Sequence, residues 1–200
     1  MRRIGIAVLA LLGSITCLAQ TNYTTYTSNG KKYNVGVNYG AGSAANEIMT
    51  TVYIGSPDEN VDHIDFLISG NSNLKQFSNS LITLKEKYTE WKSVIKNQGV
   101  TDLKKKMEVD LPRCDVFWKK RDKTAFASDV RLIPEFQVVN GKCAISIRGE
   151  AVSFMNSSQT IRYELILNSE TEIQSLISAL DYNKIKSFLE KNRQVDQLLK

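Results

Sequence analysis

Only a few residues of this chain are suited to catalysis. His63 is the single histidine, which excludes histidine-rich metal sites and leaves one imidazole for acid–base chemistry. Asp62 and Asp65 could orient its ring, and the thiolate of Cys114 or Cys143 could act as a nucleophile. Neither cysteine lies in a nucleophile elbow or another family signature. The sequence therefore predicts no catalytic residue and favours a surface histidine at the start of a strand.

An acidic turn surrounds this histidine. Calcium binds several oxygen ligands from one flexible turn, which makes Asp58, Glu59 and Asp62 candidate ligands. Their spacing differs from that of the EF-hand loop, and the glycine that this loop needs is missing. Solvated turn charges are the favoured interpretation, so no metal site is predicted.

Carboxylates elsewhere in the chain make a hydrolase possible as an alternative. Glu135, Glu150 and Glu164 could supply a pair for sugar hydrolysis, whose course depends on the separation of two carboxyl groups. The glycines between Gly36 and Gly42 form neither a phosphate-binding loop nor a dinucleotide fingerprint, because no Lys-Ser/Thr follows and no βαβ unit surrounds them. They indicate a mobile loop, and no cofactor is predicted.

Two basic runs, 104–106 and 119–121, could bind an anionic glycan or lipid surface. Each is also typical of a solvated face or of lysines that protect an edge strand from pairing. Aromatic side chains in the N-terminal segment and beside the second run add contact area for a partner. The candidate binding residues are Tyr26, Tyr33, Trp118, Lys119, Lys120 and Arg121.

The first 19 residues have the three parts of a secretory signal peptide. Arg2 and Arg3 form the positive region, residues 4–12 are apolar, and small residues precede a cleavage site before Gln20. The apolar run is shorter than the about 20 residues of a membrane span. The sequence therefore predicts removal of residues 1–19, a single domain over 20–200, and export to the periplasm or the cell exterior.

Lipid attachment at Cys17 is the alternative to soluble export and would give an outer-membrane lipoprotein. Ser14 and Thr16 occupy lipobox positions that usually hold leucine and a small residue, so the match is poor. No later apolar stretch predicts a transmembrane segment. The net charge of +5 falls by two when the arginines of the leader are removed, and so small a charge does not indicate a nucleic-acid partner.

Cys114 and Cys143 remain after cleavage of the leader. In an oxidising compartment an even number of cysteines suggests a disulfide. Two free thiols that pack as small hydrophobic side chains are an equal alternative. Each cysteine lies at an apolar position of a predicted strand, which both interpretations require.

Alternating residues and turn pairs predict antiparallel strands. Asn29-Gly30 and Asn140-Gly141 favour two-residue hairpins, since both central positions need positive φ. The first hairpin would place Tyr26 opposite Tyr33, and Gly149 is expected to bend or bulge its strand. Further strands are predicted over 48–54, 64–69, 114–118, 126–139 with a break at Pro134, 143–147 and 161–167.

One apolar stripe predicts a long helix over 72–97 that ends near Gly99. Its spacing would also suit a coiled coil, but packing on a sheet is favoured because strands flank the helix. Ser169 and Glu172 form a capping box that opens a helical pair over 169–192. The stripe consists of Leu74, Phe77, Leu81, Leu84, Tyr88, Trp91 and Ile95.

The predicted fold class is α+β, with a mostly antiparallel sheet of roughly seven to nine strands and helices packed on one face. Residues 64–81 align with 163–180 without a gap. The chain could therefore consist of two pseudo-repeated strand–turn–strand–helix halves. The alternative is that any amphipathic strand followed by a capped helix would align as well.

These observations favour an exported, non-enzymatic binding protein of the bacterial cell envelope, whose partner is an envelope protein or a glycan. The partner would bind the open face of the sheet or the tyrosine-rich N-terminal hairpin. The alternatives are an exported hydrolase with a carboxylate site and a structural subunit of an envelope assembly. An exposed aromatic patch would favour binding, and a deep pocket with perturbed titratable groups would favour an enzyme.

Overall fold

The computed structural model describes residues 21–40, 45–55, 61–120, 123–153 and 160–198. The predicted leader, with Cys17, lies outside this part of the chain. No helix within it combines the length and the hydropathy that crossing a membrane requires. The elements are, in order, β1 (Thr21–Ser28), β2 (Lys31–Tyr39), β3 (Ile48–Ile54), β4 (His63–Ser69), α1 (Asn71–Gln98), β5 (Leu103–Lys106), β6 (Cys114–Lys120), β7 (Lys123–Val130), β8 (Ile133–Val139), β9 (Lys142–Val152), β10 (Thr160–Leu167), α2 (Glu170–Ala179) and α3 (Tyr182–Leu198).

The strands form two antiparallel sheets. The six-stranded sheet has the order β1-β2-β3-β4-β6-β7, and the four-stranded sheet has the order β10-β9-β8-β5. The predicted α+β class with antiparallel strands is confirmed, but the prediction of one sheet with fewer strands is wrong. The sequence analysis missed β5, because its residues Leu103–Lys106 show no alternation and all four are exposed. Within the described residues this strand pairs with β8 and lies at the edge of the four-stranded sheet, the position that edge protection by the 104–106 run would require.

Both predicted Asn-Gly hairpins are confirmed. Asn29 and Gly30 have φ angles of 48° and 73°, and Asn140 and Gly141 have φ angles of 50° and 73°. Positive φ at both central positions gives the turn a twist that matches the flanking strands. The two turns therefore fix the registers of the β1–β2 and β8–β9 pairs.

The chain between β7 and β8 departs from the prediction. The strands are interrupted at Arg131 and Leu132, whereas Pro134 lies inside β8. Proline is tolerated there because the ladder with β5 ends at Glu135, so residue 134 needs no N–H donor on that side. Its carbonyl still accepts a hydrogen bond of 2.9 Å from the N–H of Met107.

Gly149 makes room for a tyrosine and does not bulge its strand. The register of β9 and β10 is regular through the pair of Gly149 and Tyr163. The Tyr163 hydroxyl occupies the space in which a Cβ of residue 149 would lie, and it donates to the carbonyl of Arg131 at 3.2 Å. The predicted bulge is therefore wrong, since close approach is what requires glycine here.

The apolar stripe of α1 lies in the hydrophobic core, which confirms packing against the strands and leaves no coiled-coil seam. The helix is one residue longer at each end than predicted. Tyr88 and Trp91 contact Phe136 of β8 with ring centroids 5.9 and 5.5 Å apart. Phe66 of β4 meets Tyr163 of β10 at 5.1 Å. The helix and one face of each sheet, called here the inner face, thus share a single core.

The predicted capping box at the start of α2 is confirmed, and its carboxylate reaches further than expected. The Ser169 hydroxyl accepts from the N–H of Glu172 at 3.2 Å. The Glu172 carboxylate accepts from the N–H of Asn168 at 2.7 Å. It also accepts from the N–H groups of Asn29 and Gly30 at 3.1 and 2.8 Å. The buried carboxylate of Glu172 therefore links the turn of the first hairpin to the start of α2 by hydrogen bonds.

The segments 64–81 and 163–180 each contain a strand followed by a helix. The surroundings of the two strands differ, because β4 lies inside the six-stranded sheet and β10 lies at an edge of the four-stranded sheet. The helices also differ in length, since α1 is 28 residues long and α2 only 10. The internal repeat therefore stays a prediction.

Candidate functional site

The aromatic residues predicted to bind a partner lie in the core. Tyr26 and Trp118 are 1% and 3% exposed, and Tyr33 packs against the core with its hydroxyl beside Gly55. Tyr26 does stand opposite Tyr33 in the hairpin, as predicted, but its hydroxyl donates to the carbonyl of Tyr53 at 2.6 Å. These side chains project from the inner face of the sheet, and the burial of Tyr26 and Trp118 argues against their predicted role as binding residues.

The predicted basic residues are distributed over different surfaces. Lys119 is half-buried on β6 opposite His63, and Lys120 is exposed at the end of that strand. Arg121 lies outside the described residues. The run 104–106 belongs to the other sheet. The fold therefore does not combine the two runs into one basic surface.

The acidic turn and the glycine-rich stretch are described only in part. Asp58, Glu59 and Gly42 lie outside the described residues, and Gly36 is a regular residue of β2. Asp62 is exposed, and its N–H donates to the carbonyl of Lys119 at 2.9 Å. Among the residues that the structure describes, no group of three or more His, Cys, Asp and Glu side chains could hold a metal ion.

The carboxylates considered for a hydrolase lie on the outer face of the four-stranded sheet, and each is engaged by a neighbour. Ion pairs and hydrogen bonds with these neighbours hold all three carboxylates in place, as in a network that stabilises the sheet. The contacts join Glu135 to Arg148 at 2.5 Å and to Lys104 at 3.6 Å, Glu164 to Ser146 at 2.5 Å, and Glu150 to Arg162 at 3.3 Å.

Both cysteines are free thiols, in agreement with one of the two predicted alternatives. Cys114 is buried on the inner face of β6, and Cys143 is half-buried on β9 of the other sheet. Burial raises the pKa of Cys114 to about 12. It also raises the pKa of Cys143, and the nearby charge of Lys92 offsets part of this rise. His63 projects to the opposite side of its sheet from Cys114, so these two residues form no catalytic pair.

Aromatic side chains cross the outer face of the six-stranded sheet in one row. The strand registers place Tyr53 opposite Asp65, Asp65 opposite Phe117, and Phe117 opposite Phe126. The last two rings are 4.7 Å apart. All three aromatic residues are half-buried, while their sequence neighbours Val52, Ile54, Val116, Trp118, Ala125 and Ala127 are buried in the core. Tyr53, Phe117 and Phe126 are called the aromatic row below.

Asp65 is the polar member in the middle of this row. It is only 9% exposed, and its Oδ1 atom is buried and accepts no hydrogen bond within the described residues. The Oδ2 atom lies 3.5 Å from Nε2 of His63. Burial raises the pKa of Asp65 to about 6, and the charge of His63 partly opposes this rise. A buried carboxylate with one oxygen unsatisfied is costly, so this position calls for an explanation beyond folding.

Asp115 adds a second carboxylate to the same face, next to Leu67. Burial raises its pKa, although the N–H of Asp129 donates to it at 3.2 Å and lowers the pKa. Asp129 has a φ of 55° beside the irregularity in the β6–β7 register. Arg113 donates to the carbonyl and the carboxylate of Asp129 at 2.8 and 2.9 Å. The irregularity in the β6–β7 register thus directs the backbone N–H of Asp129 toward the Asp115 carboxylate.

The sequence analysis missed the aromatic row because its members come from three separate segments. Strand alternation puts Tyr53 and Phe117 out of phase with their buried neighbours, which is a signal for the outer face. The order of the strands in the sheet, in which β4 and β6 are neighbours and β5 belongs elsewhere, has no such signal. Only this order brings Asp65 between the aromatic rings.

Comparison with known proteins identified no protein-family model, no curated protein and no solved structure that matches this chain. The function is therefore argued from the geometry of the outer face alone.

Proposed function

We propose that this chain is a non-enzymatic binding protein that docks a protein partner on the outer face of its six-stranded sheet. The observation that supports the proposal is the aromatic row with the buried, unsatisfied carboxylate of Asp65 at its centre. Aromatic side chains are enriched at the centres of protein interfaces, where they supply large contact area. A half-buried row of them on a sheet face fits such a centre.

The chemistry of the row indicates what the partner must supply. The Oδ1 atom of Asp65 needs a hydrogen-bond donor, and rings on both neighbouring strands flank it. A lysine or arginine side chain fits this arrangement, because it can donate to the carboxylate while its charge lies against the aromatic faces. A basic residue of the partner, set against the aromatic row and pairing with the Asp65 carboxylate when the rings move apart, is therefore the contact that we propose.

The surroundings of the row are suited to a protein partner. Threonine, serine and asparagine side chains surround the row on the same face, which gives the polar rim that protein interfaces have around their centres. The polar residues of this rim are Asn34, Thr51, Ser69, Thr124 and Ser128. A sheet surface offers contact area rather than a deep cleft, and area of this kind suits a macromolecule.

The proposal includes export. Residues 1–19 have the composition of a signal peptide, so the partner is expected in the periplasm, in the outer membrane or outside the cell. Envelope proteins are the partners that a protein in these locations can meet. Soluble export and a lipid anchor at Cys17 are both compatible with docking on the sheet.

Photo-crosslinking in the native host tests the proposal. A photoreactive phenylalanine analogue replaces Tyr53 or Phe117 in the full chain, and the control carries it at Glu86 on the exposed side of α1. We expect one partner band from both sheet positions and none from the control. The crosslinked protein is then identified, purified, and tested for affinity against sheet variants.

The affinity measurements decide the role of the row. Phe117→Ala and Asp65→Asn are each expected to weaken binding at least tenfold, as central interface residues do. Tyr182→Ala is the matched control, because Tyr182 is a half-buried tyrosine on α3, away from the sheet face. Wild-type affinity in both sheet variants, or no crosslink at either sheet position, would refute the proposal.

A further inference from the structure

A groove of about 940 Å³ lies where the two Asn-Gly turns meet the end of α1. Asn29 of the first turn and Asn140 of the second both line it. Asn168 joins them, and its Nδ2 donates to Oδ1 of Asn29 at 2.8 Å. The N–H of Gly141 donates to the carbonyl of Thr101 at 2.9 Å, which holds the second turn against the chain after α1. The volume lies within the roughly 300–1,000 Å³ of small-molecule sites.

The charged side chains that line this groove are all lysines, while the Glu172 carboxylate accepts from the N–H groups of Asn29 and Asn168 in the same lining. Lys92, Lys96 and Lys142 line it, and none of the described lining residues is acidic. Lys92 and Lys96 lie one helical turn apart on α1, and Lys142 faces them from the start of β9. Lys96 and Lys142 are exposed and form no ion pair with the described residues, whereas Lys92 lies 3.4 Å from Glu170. At least two ammonium groups are therefore available to an anion.

The rest of the lining combines amides with apolar side chains. The Gln137 amide donates to Glu164 at 3.3 Å, and the Asn168 amide donates to Asn29. The Asn140 amide and the remaining donors and acceptors of the other three can bind neighbouring hydroxyl groups of a ligand. Val139 is 55% exposed, and Val100 and Ile166 lie in the same lining. A ligand with hydroxyl edges and an apolar carbon face would cover these residues.

We infer that the groove is a second binding site, and that it takes an acidic saccharide with its acid group on Lys96 and Lys142. The sugar hydroxyls would bind the amides of the two turns, and the carbon face of the ring would cover Val139. Both turns have positive φ at their two central positions, as type I′ turns do, and the Asn29 amide is held by its hydrogen bond with Asn168. This inference is independent of the outer face of the six-stranded sheet.

The test is a titration of the full exported chain, labelled for NMR, with digalacturonate as the acidic probe. Cellobiose is the uncharged probe of the same size, and inorganic phosphate supplies charge without hydroxyl groups. We expect digalacturonate to shift the amide signals of Asn140, Gly141 and Lys96, with a Kd at least tenfold lower than that of either other probe. The double variant Lys96→Gln/Lys142→Gln should lose at least tenfold in affinity.

The matched control is Lys184→Gln/Lys191→Gln, which removes the same charge from exposed positions of α3. It should bind digalacturonate as the wild type does. Equal losses in both double variants would show a general charge effect and overturn the site. Equal binding of cellobiose, or no binding of digalacturonate below about 10 mM, would contradict the proposal that the ligand is an acidic saccharide. Neither result bears on the sheet face, whose test uses different residues.

Discussion

Replacement of Asp65 by asparagine should stabilise the protein at neutral pH. The wild-type carboxylate is 9% exposed, and its Oδ1 atom lacks a hydrogen-bond donor within the described residues. Asparagine keeps the shape of the side chain and removes the charge. The cost of burying that charge is therefore absent in the variant at every pH.

The pH dependence follows from the pKa of this carboxyl group. Burial raises the pKa of Asp65 to about 6 in the folded protein, whereas an aspartate in an unfolded chain titrates near 3.9. Below both values the group is protonated in either state, and the wild type carries no penalty. Stability is then lost as the pH rises through the folded pKa, because only the unfolded chain ionises freely. The full loss amounts to about 3 kcal/mol.

Urea denaturation of both proteins between pH 3.5 and pH 8 measures this effect. The free energy of unfolding of Asp65→Asn minus that of the wild type should be near zero at the acid end. It should rise to about 3 kcal/mol above pH 7, and the largest change should fall between pH 4 and pH 6. Taking the difference cancels the titration of the groups that do not interact with Asp65. The same pair of proteins is also compared in a His63→Gln variant. Because the His63 charge lowers the pKa of Asp65, the stability gained by Asp65→Asn should be larger when that charge is absent.

A difference that stays constant across this pH range would refute the reasoning, and so would an NMR titration that places the pKa of Asp65 near 4. Either result would mean that the carboxylate is well solvated or well paired. The aromatic row would then lose its unsatisfied centre, and with it the contact that we propose for a basic residue. A variant that gains stability and loses partner binding would instead show a residue kept for function at a cost in stability.

Three further outcomes follow from the structure. Glu172→Gln should destabilise the protein by roughly 2–4 kcal/mol in urea denaturation, because three backbone N–H groups lose a charged acceptor; Glu170→Gln, its exposed control, should stay within about 0.5 kcal/mol. Maleimide labelling followed by mass spectrometry should modify Cys143 in the folded protein and Cys114 only after unfolding; two unreactive residues in denaturant would instead show a disulfide. Gly149→Ala should cost about 1–3 kcal/mol in thermal unfolding, because the added methyl group meets the Tyr163 hydroxyl; an unchanged Tm would contradict this packing.

Local patterns in the sequence predicted most of the elements correctly. The Asn-Gly pairs predicted both hairpins because the positive φ that such turns need is a property of two residues. The apolar stripe predicted α1 to within one residue at each end, since a helical period repeats over many turns. Ser169 and Glu172 predicted the start of α2 for the same reason, because a capping box involves only neighbouring residues.

The candidate sites could not be predicted in the same way. Trp118 and Tyr26 are aromatic residues on strands, and the sequence does not determine which face of a sheet meets the core. Burial in the core therefore argues against their predicted role as binding residues. Residues on the opposite phase, such as Tyr53 and Phe117, lie half-buried on the outer face instead.

The sequence by itself determined the α+β class, the antiparallel hairpins and the long helix, and export stays a prediction from residues 1–19. The tertiary structure decided which strands are neighbours and which turns meet. It set Asp65 between two aromatic rings through the β3-β4-β6 order, and it brought Asn29 and Asn140 into one groove although they lie far apart in the sequence. The physical reason is the sequence distance over which each interaction acts. Turn and helix preferences act within a few residues, whereas a site depends on distant segments that only core packing brings together.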